Sequence, residues 1–191
     1  MSMTVVPPRS VRSSRTAELV LRRATPSDAD AVLDLYEGLG AESRYRRFFR
    51  ATPRYDASLR RHITDVATSL VWLAFDGDRC VGEARVVTST RQPCGDLAVT
   101  VADDFHGRGL GSRLARRAVA EHLRSNDCVS FSILPGNTSA ARMARAHGVR
   151  LALDQGTLDG VVNRPAELPF HFSAAAATNS GLAPDERRLI A

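Results

Sequence analysis

The segment His106-Gly107-Arg108-Gly109-Leu110-Gly111-Ser112 has the residue types and spacing to hold a phosphate. It follows an alternating run in which Leu97, Val99 and Val101 share one face, as in a strand. A helical pattern follows it. A pyrophosphate needs several backbone N–H donors that converge, and a loop entering a helix N-terminus supplies them with the positive end of the helix dipole. Glycine removes the Cβ from that approach, and Arg108 adds a charged donor. Two other phosphate loops are excluded. A Walker A loop requires Gly-Lys-Ser/Thr, and this chain contains no lysine. A Rossmann fingerprint is spaced G-x-G-x-x-G and opens a βαβ unit, whereas Gly107, Gly109 and Gly111 are spaced G-x-G-x-G behind antiparallel strands. Taken alone, the loop also fits a tight turn that ends a strand.

Other side chains have weaker claims. Asp96, at the start of the strand before the loop, reads as a general base or as a solvated strand-start acid. His62, His122 and His147 lie on helical segments without partners at ligand spacing, so no metal site is expected. Cys80, Cys94 and Cys128 are odd in number and far apart, with no C-x-x-C pair. They read as free thiols in a reducing cytoplasm. Cys94 as a ping-pong nucleophile would lack a nearby activating histidine. Arg44, Arg46, Arg47 and Arg50 read as a solvated basic face, or as contacts to an acceptor or a phosphate. Tyr45, Phe48 and Phe49 read as core.

The elements that would position these groups alternate along the chain. Residues 18–23 read as a strand. Thr25-Pro26-Ser27-Asp28 opens a helix with a capping box, and Val32, Leu35, Tyr36 and Leu39 form its inward stripe. Helical pieces are expected at 42–49 and 57–64. The apolar run 70–75 reads as a buried strand, Asp76-Gly77-Asp78 as a hairpin turn, and 81–88 as the returning strand. Strands at 96–102, 129–134, 149–153 and 156–162 and helices at 112–124 and 137–147 complete the pattern. Residues 1–17, with a Pro pair and no acid, read as a disordered arm, and 171–191 as a flexible tail. Residues 18–170 form the single domain.

A chain of 191 residues suits one core, and no apolar run reaches membrane-spanning length. The net charge of +5 comes wholly from arginine. The arginines are scattered, with neither a basic helix nor an aromatic stacking motif, so an acidic cofactor or substrate explains the charge better than nucleic acid does.

His106, Gly109 and Gly111 resemble motif A of the GNAT acetyltransferases, Gln/Arg-x-x-Gly-x-Gly/Ala, with His in the first place. Asn137, Ala140, Met143, Gly148 and Val149 resemble its motif B helix, N-x-x-A-x-x-L-Y-x-x-x-G-F. The stretch Glu42-Ser43-Arg44-Tyr45-Arg46-Arg47-Phe48-Phe49 and the later Thr64-Asp65-Val66 look like the GNAT domains of bacterial protein-lysine acetyltransferases. The resemblance covers residues 18–162.

It implies an α/β (α+β) GNAT fold: a mixed, mostly antiparallel sheet of six to seven strands, splayed at the cofactor site, with helices on both faces. It implies acetyl-CoA as acyl donor, pantetheine on the backbone of Val99, Thr100 and Val101, and pyrophosphate on the loop from His106 to Ser112. Asn137 joins that set. The N–H of Val99 would stabilise the developing oxyanion. Relatives place Glu in a segment like A-E-x-A-V; here Asp96 stands there, one methylene shorter. Ala144 replaces the tyrosine that in many relatives protonates the leaving thiolate. The implied activity is direct transfer of an acetyl group to an amine, a protein lysine among the candidates, by a cytoplasmic monomer or homodimer. A small-amine or antibiotic acetyltransferase and a non-catalytic CoA- or partner-binding module are the alternatives. No segment resembles a cyclic-nucleotide domain, so the regulation it confers on some relatives is not expected.

Overall fold

The computed structural model describes residues 19–49, 65, 69–89 and 92–165. Seven strands form one sheet: β1 (Val20–Arg23), β2 (Ser69–Asp76), β3 (Arg79–Val87), β4 (Gly95–Val101), β5 (Cys128–Ile133), β6 (Ala152–Asp154) and β7 (Thr157–Asn163), in the order β1-β2-β3-β4-β5-β7-β6. Neighbours pair antiparallel except β4 and β5, which run parallel. The helices are α1 (Ala29–Glu37), α2 (Ala41–Phe48), α3 (Leu110–His122) and α4 (Thr138–Ala146). The expected GNAT architecture and its helix on either face are present. The piece at 57–64, the arm, the tail and Arg50 lie outside the described residues.

Strand alternation divides the layers. Gly82, Ala84 and Val86 of β3 face α3, where a Cβ on Gly82 would lie 2.8 Å from Leu114. Glu83 and Arg85 face α1 and α2. The stripe Val32, Leu35, Tyr36 and Leu39 is at most 4% exposed, and Leu114, Ala118, Val119 and Leu123 close the core from the α3 side. The α1 entry is fixed by Asp28, whose Oδ2 accepts from the Thr25 N–H at 2.7 Å. Both its oxygens also receive the Arg22 guanidinium, at 2.8 and 2.6 Å. Those bonds tie β1 to α1 and hold the Asp28 carboxyl well below the usual range, against a smaller effect of burial.

Cys94 and Cys128 are joined by a disulfide, Sγ–Sγ 1.99 Å, so the expectation of three free thiols is corrected. Only Cys80 is free, and it is buried. The partners lie 34 residues apart in sequence, and the parallel β4–β5 pairing brings their Cα atoms to 4.7 Å. Local spacing rules do not register a contact made by topology. The reading of a reducing compartment, which rested on free thiols, loses that support.

Candidate active site

Strands β4 and β5 share two residue pairs, Gly95↔Val129 and Asp96↔Ser130, and then part. On its other edge β5 is paired to β7 throughout, from Cys128↔Asn163 to Ile133↔Leu158. Among the described residues no strand pairs with Leu97–Val101 on the β5 side. The Ala102 N–H donates to Val81 O on β3 at 3.0 Å. Because backbone groups alternate sides along a strand, the N–H and C=O of Val99 and Val101 point the other way, into the gap. The contact of His106 Nε2 with Val101 O, 2.9 Å, lies on that open edge.

The gap leads to the glycine loop. After the 3₁₀ turn Asp103–Phe105, Gly107 and Gly109 adopt φ of 75° and 74°, a left-handed conformation that glycine takes without strain. Gly109 is the N-cap of α3, and the first bond back to it is Arg113 N–H to Gly109 O, 3.1 Å. The N–H groups of Leu110, Gly111 and Ser112 precede that bond and have no intrahelical acceptor. The first turn of α3 holds no acid, so nothing there repels an anion. A Cβ on Gly111 would sit 3.5 Å from Val101 Cγ2 and 3.7 Å from Val99 Cγ1, so the loop packs directly on the edge of the gap.

The remaining predicted contacts are already engaged. A carbonyl only accepts, so His106 Nε2 carries a proton and donates to Val101 O, while Asp103 Oδ1 stands 3.7 Å away. Arg108 lies over the Phe105 ring, 4.9 Å from its centroid. Ser112 Oγ and His147 Nε2 are 2.6 Å apart and join α3 to the end of α4. Burial and the charge of Arg116 lower the His147 pKa. Asn137 caps α4, its Oδ1 accepting from the Ala140 N–H at 3.2 Å. Thr100 is buried, with its hydroxyl turned to α2. Ala144 is buried in the core.

Asp96 stands where the strands part, exposed to solvent. The protein around its carboxyl raises the pKa, and the charge of Arg47 partly offsets this. The net rise suits a proton acceptor. Behind it lies a group that the sequence reading missed. Glu83, fully buried, binds Arg85 through Oε1 at 2.9 and 2.7 Å and accepts the hydroxyl of buried Tyr36 at Oε2. Arg47 Nη2 lies 3.8 Å from Glu83, and Arg47 Nε donates to Thr100 Oγ1 at 2.8 Å. Burial opposes ionisation of Glu83, but the two guanidiniums and the phenol together hold its pKa below the ordinary range. The signal was present: opposite charges at i and i+2 in an apolar strand share one inward face. The basic face assigned to 44–50 is likewise corrected for Arg44 and Arg47. Arg44 donates to Glu37 O and Leu39 O, at 3.0 and 2.7 Å, and Arg47 turns inward. Arg46 pairs with Glu42.

A family model described as the acetyltransferase (GNAT) family matches residues 32–149. The chain belongs to that family, and its class is N-acetyltransferase. Among solved structures it is similar to the GNAT domain of S. lividans PAT, with 22% identity over 75% of this chain and 89% of that one, TM-score 0.67. It is similar to spermidine N-acetyltransferase from Vibrio cholerae in complex with CoA and spermine, with 12% identity over 77% and 96%, TM-score 0.60. A third likeness is to a cAMP-binding acyltransferase from Mycobacterium smegmatis, with 24% identity over 79% of this chain but 46% of that one, TM-score 0.52. Among the described residues no helix is long and apolar enough to cross a membrane.

Proposed function

We propose that this chain transfers the acetyl group of acetyl-CoA to a protein lysine by direct attack in a ternary complex. One observation carries the reading: β4 and β5 part just beyond Asp96, leaving Val99 facing a gap that ends at the N-terminus of α3. Pantetheine pairs with the Val99 and Val101 backbone, and the pyrophosphate takes the N–H groups from Gly109 to Ser112. Acetyl-CoA supplies an activated acyl carbon and a good leaving thiolate.

The residues of the chain supply the rest. A lysine with pKa near 10.4 costs about 4.6 kcal/mol to deprotonate at neutral pH. Asp96 takes that proton, through a water because its side chain is short. The Val99 N–H faces the thioester oxygen as charge builds there. The C–N bond forms, the C–S bond breaks, and solvent protonates the thiolate because Ala144 offers no hydroxyl. The lysine acceptor is supported by the resemblance of residues 42–49 to protein-lysine acetyltransferases. The likeness to a spermidine acetyltransferase favours a small polyamine as the second reading.

The test is thiol release from acetyl-CoA against lysine peptides and a panel of small amines, with Asp96→Asn alongside. Turnover on peptides that collapses in the variant is the expected result. Turnover on polyamines alone would favour the second reading. CoA binding without turnover on any acceptor would leave a binding module.

A further inference from the structure

The sheet is two bodies meeting at a short joint. On one side β4 is held by β3 through six pairs, Gly82↔Val101 to Val87↔Asp96. On the other, β5 is held by β7 through six pairs, Cys128↔Asn163 to Ile133↔Leu158. Between the bodies stand two pairs, Gly95↔Val129 and Asp96↔Ser130. The Cys94–Cys128 disulfide lies one residue outside the first of these pairs, at the closed end of the wedge. The cofactor gap opens from the other end of the same joint.

Two side chains also reach across it. Ser130 Oγ reaches Gly95 O at 3.4 Å, a long contact. Against Gly95 packs the ring of buried His122, which also hydrogen-bonds the Cys128 backbone, while its Nε2 has no partner among the described residues. A Cβ on Gly95 would stand 2.6 Å from that nitrogen and from Val86 Cγ1, so the joint is tightly packed from the α3 side. Packing and one hydrogen bond from a single face resist sliding, but two parallel strands that share two pairs can still change their angle. A covalent bond beside those pairs fixes it.

We propose that Cys94 and Cys128 are positioning residues: their disulfide sets the opening of the β4–β5 wedge, and breaking it weakens CoA binding. The proposal rests on the wedge being the CoA site, as argued above. Asp96 is two residues from Cys94 and belongs to the second of the joining pairs, so the same bond holds β5 beside the proton acceptor. Both cysteines are partly accessible, whereas Cys80 is buried. A small dithiol reductant is therefore able to reach the pair. Its thiolate attacks one sulfur, the Cys94–Cys128 bond breaks, and its second thiol displaces the first. Two electrons and two protons pass to the protein, which gains two thiols, and the reagent closes to a cyclic disulfide.

The experiment measures CoA affinity by calorimetry at 10 °C on protein purified without reductant. Samples are the oxidised protein, the same protein reduced with dithiothreitol, a reoxidised sample, and Cys94→Ser/Cys128→Ser. Circular dichroism establishes that each is folded at that temperature, and thiols are counted after denaturation. The expected result is one thiol in the oxidised protein and three after reduction. Affinity should fall at least about fivefold on reduction, recover on reoxidation, and be matched by the double variant. Reduction of the wild type keeps the test valid should that variant fail to fold. If the crosslink only stabilised the fold, breaking it would lower the melting temperature and leave affinity at 10 °C unchanged. That outcome, or three thiols in the unreduced protein, would overturn the proposal. Absence of CoA binding in every sample would instead remove the cofactor reading beneath it.

Discussion

Arg47 Nε donates to Thr100 Oγ1 at 2.8 Å, joining α2 to the β4 edge that carries Asp96 and Val99. The same guanidinium, 17% exposed, stands 3.8 Å from Glu83 and 3.3 Å from the Tyr36 hydroxyl through Nη2. One side chain thus couples a buried carboxylate on β3, a phenol on α1 and the strand that lines the gap. A second tie runs from Asp103, beside the glycine loop, whose Oδ2 accepts the Gly40 N–H at the start of α2.

Arg47→Ala should be destabilising. Glu83 would keep Arg85 but lose its second positive partner in a fully buried setting. Arg85 and Tyr36 still compensate the carboxylate, so the cost should be about 1–3 kcal/mol, below that of an uncompensated buried charge. Arg47→Lys should recover only part of this, because an ammonium cannot reproduce the fork that serves Thr100 and Tyr36 together. Urea unfolding of the three proteins checks it, and an Arg47→Ala midpoint equal to that of wild type would contradict the buried-network account.

The pH dependence of turnover should carry the mark of Asp96. Surrounding protein raises its pKa, so the acid limb of kcat/KM should fall above the ordinary carboxylate value of about 3.9. Activity is expected only above that limb, since the base works deprotonated. Arg47 pulls in the opposite direction, so removing it should move the limb higher still. The limb should vanish in Asp96→Asn. A limb left in place in that variant would assign the titration to another group.

Much of this architecture was legible in the sequence, because local patterns encode it. The α1 stripe, the Asp76-Gly77-Asp78 turn and the motif A loop each depend on residues within a few positions of one another. Most element ends shifted by a residue or two, as at α2, which ends at Phe48, with Phe49 left-handed at φ 54°, while β6 begins three residues late, at Ala152. What escaped detection depends on distant partners. The Cys94–Cys128 bond needs the parallel β4–β5 joint. The arginines of α2 read as a solvated face until Glu83 and Thr100 were in place to receive Arg47. His122 read as an ordinary helix histidine, yet it is buried against Gly95, and burial lowers its pKa.

The two kinds of loop glycine should respond differently to alanine. Gly109 has φ of 74°, where a Cβ costs about 1–2 kcal/mol. Gly109→Ala should therefore lower both stability and CoA affinity. Gly111 lies in α3 and a Cβ there meets only ordinary contacts. Gly111→Ala should hold or slightly raise stability, since alanine is the better helix former by about 1 kcal/mol. Its CoA affinity should still fall, because the methyl group stands beside Val99 and Val101 where the pantetheine arm would pass. Calorimetry beside thermal melts separates the two, and undiminished affinity in Gly111→Ala would place the cofactor elsewhere.

Acid should erode the Arg22–Asp28 clamp in a predictable window. The folded pKa of Asp28 is depressed, chiefly by the Arg22 bond, so its contribution is complete above the unfolded value of about 3.9. It is lost as pH falls through the depressed folded value. Asp28 is 8% exposed, but the Arg22 side chain is 41% exposed, so solvent screening reduces the ion pair to about 1 kcal/mol. The Thr25 bonds to the same carboxylate add about 1 kcal/mol more. Asp28→Asn should therefore be less stable than wild type by about 1–2 kcal/mol at pH 7. The gap should narrow as pH drops below about 4, where the wild-type carboxylate begins to lose its advantage. Parallel urea titrations at pH 7, 5 and 3 measure it. A gap that stayed constant down to pH 3 would mean that Asp28 stabilises α1 through its shape and neutral hydrogen bonds, without its charge.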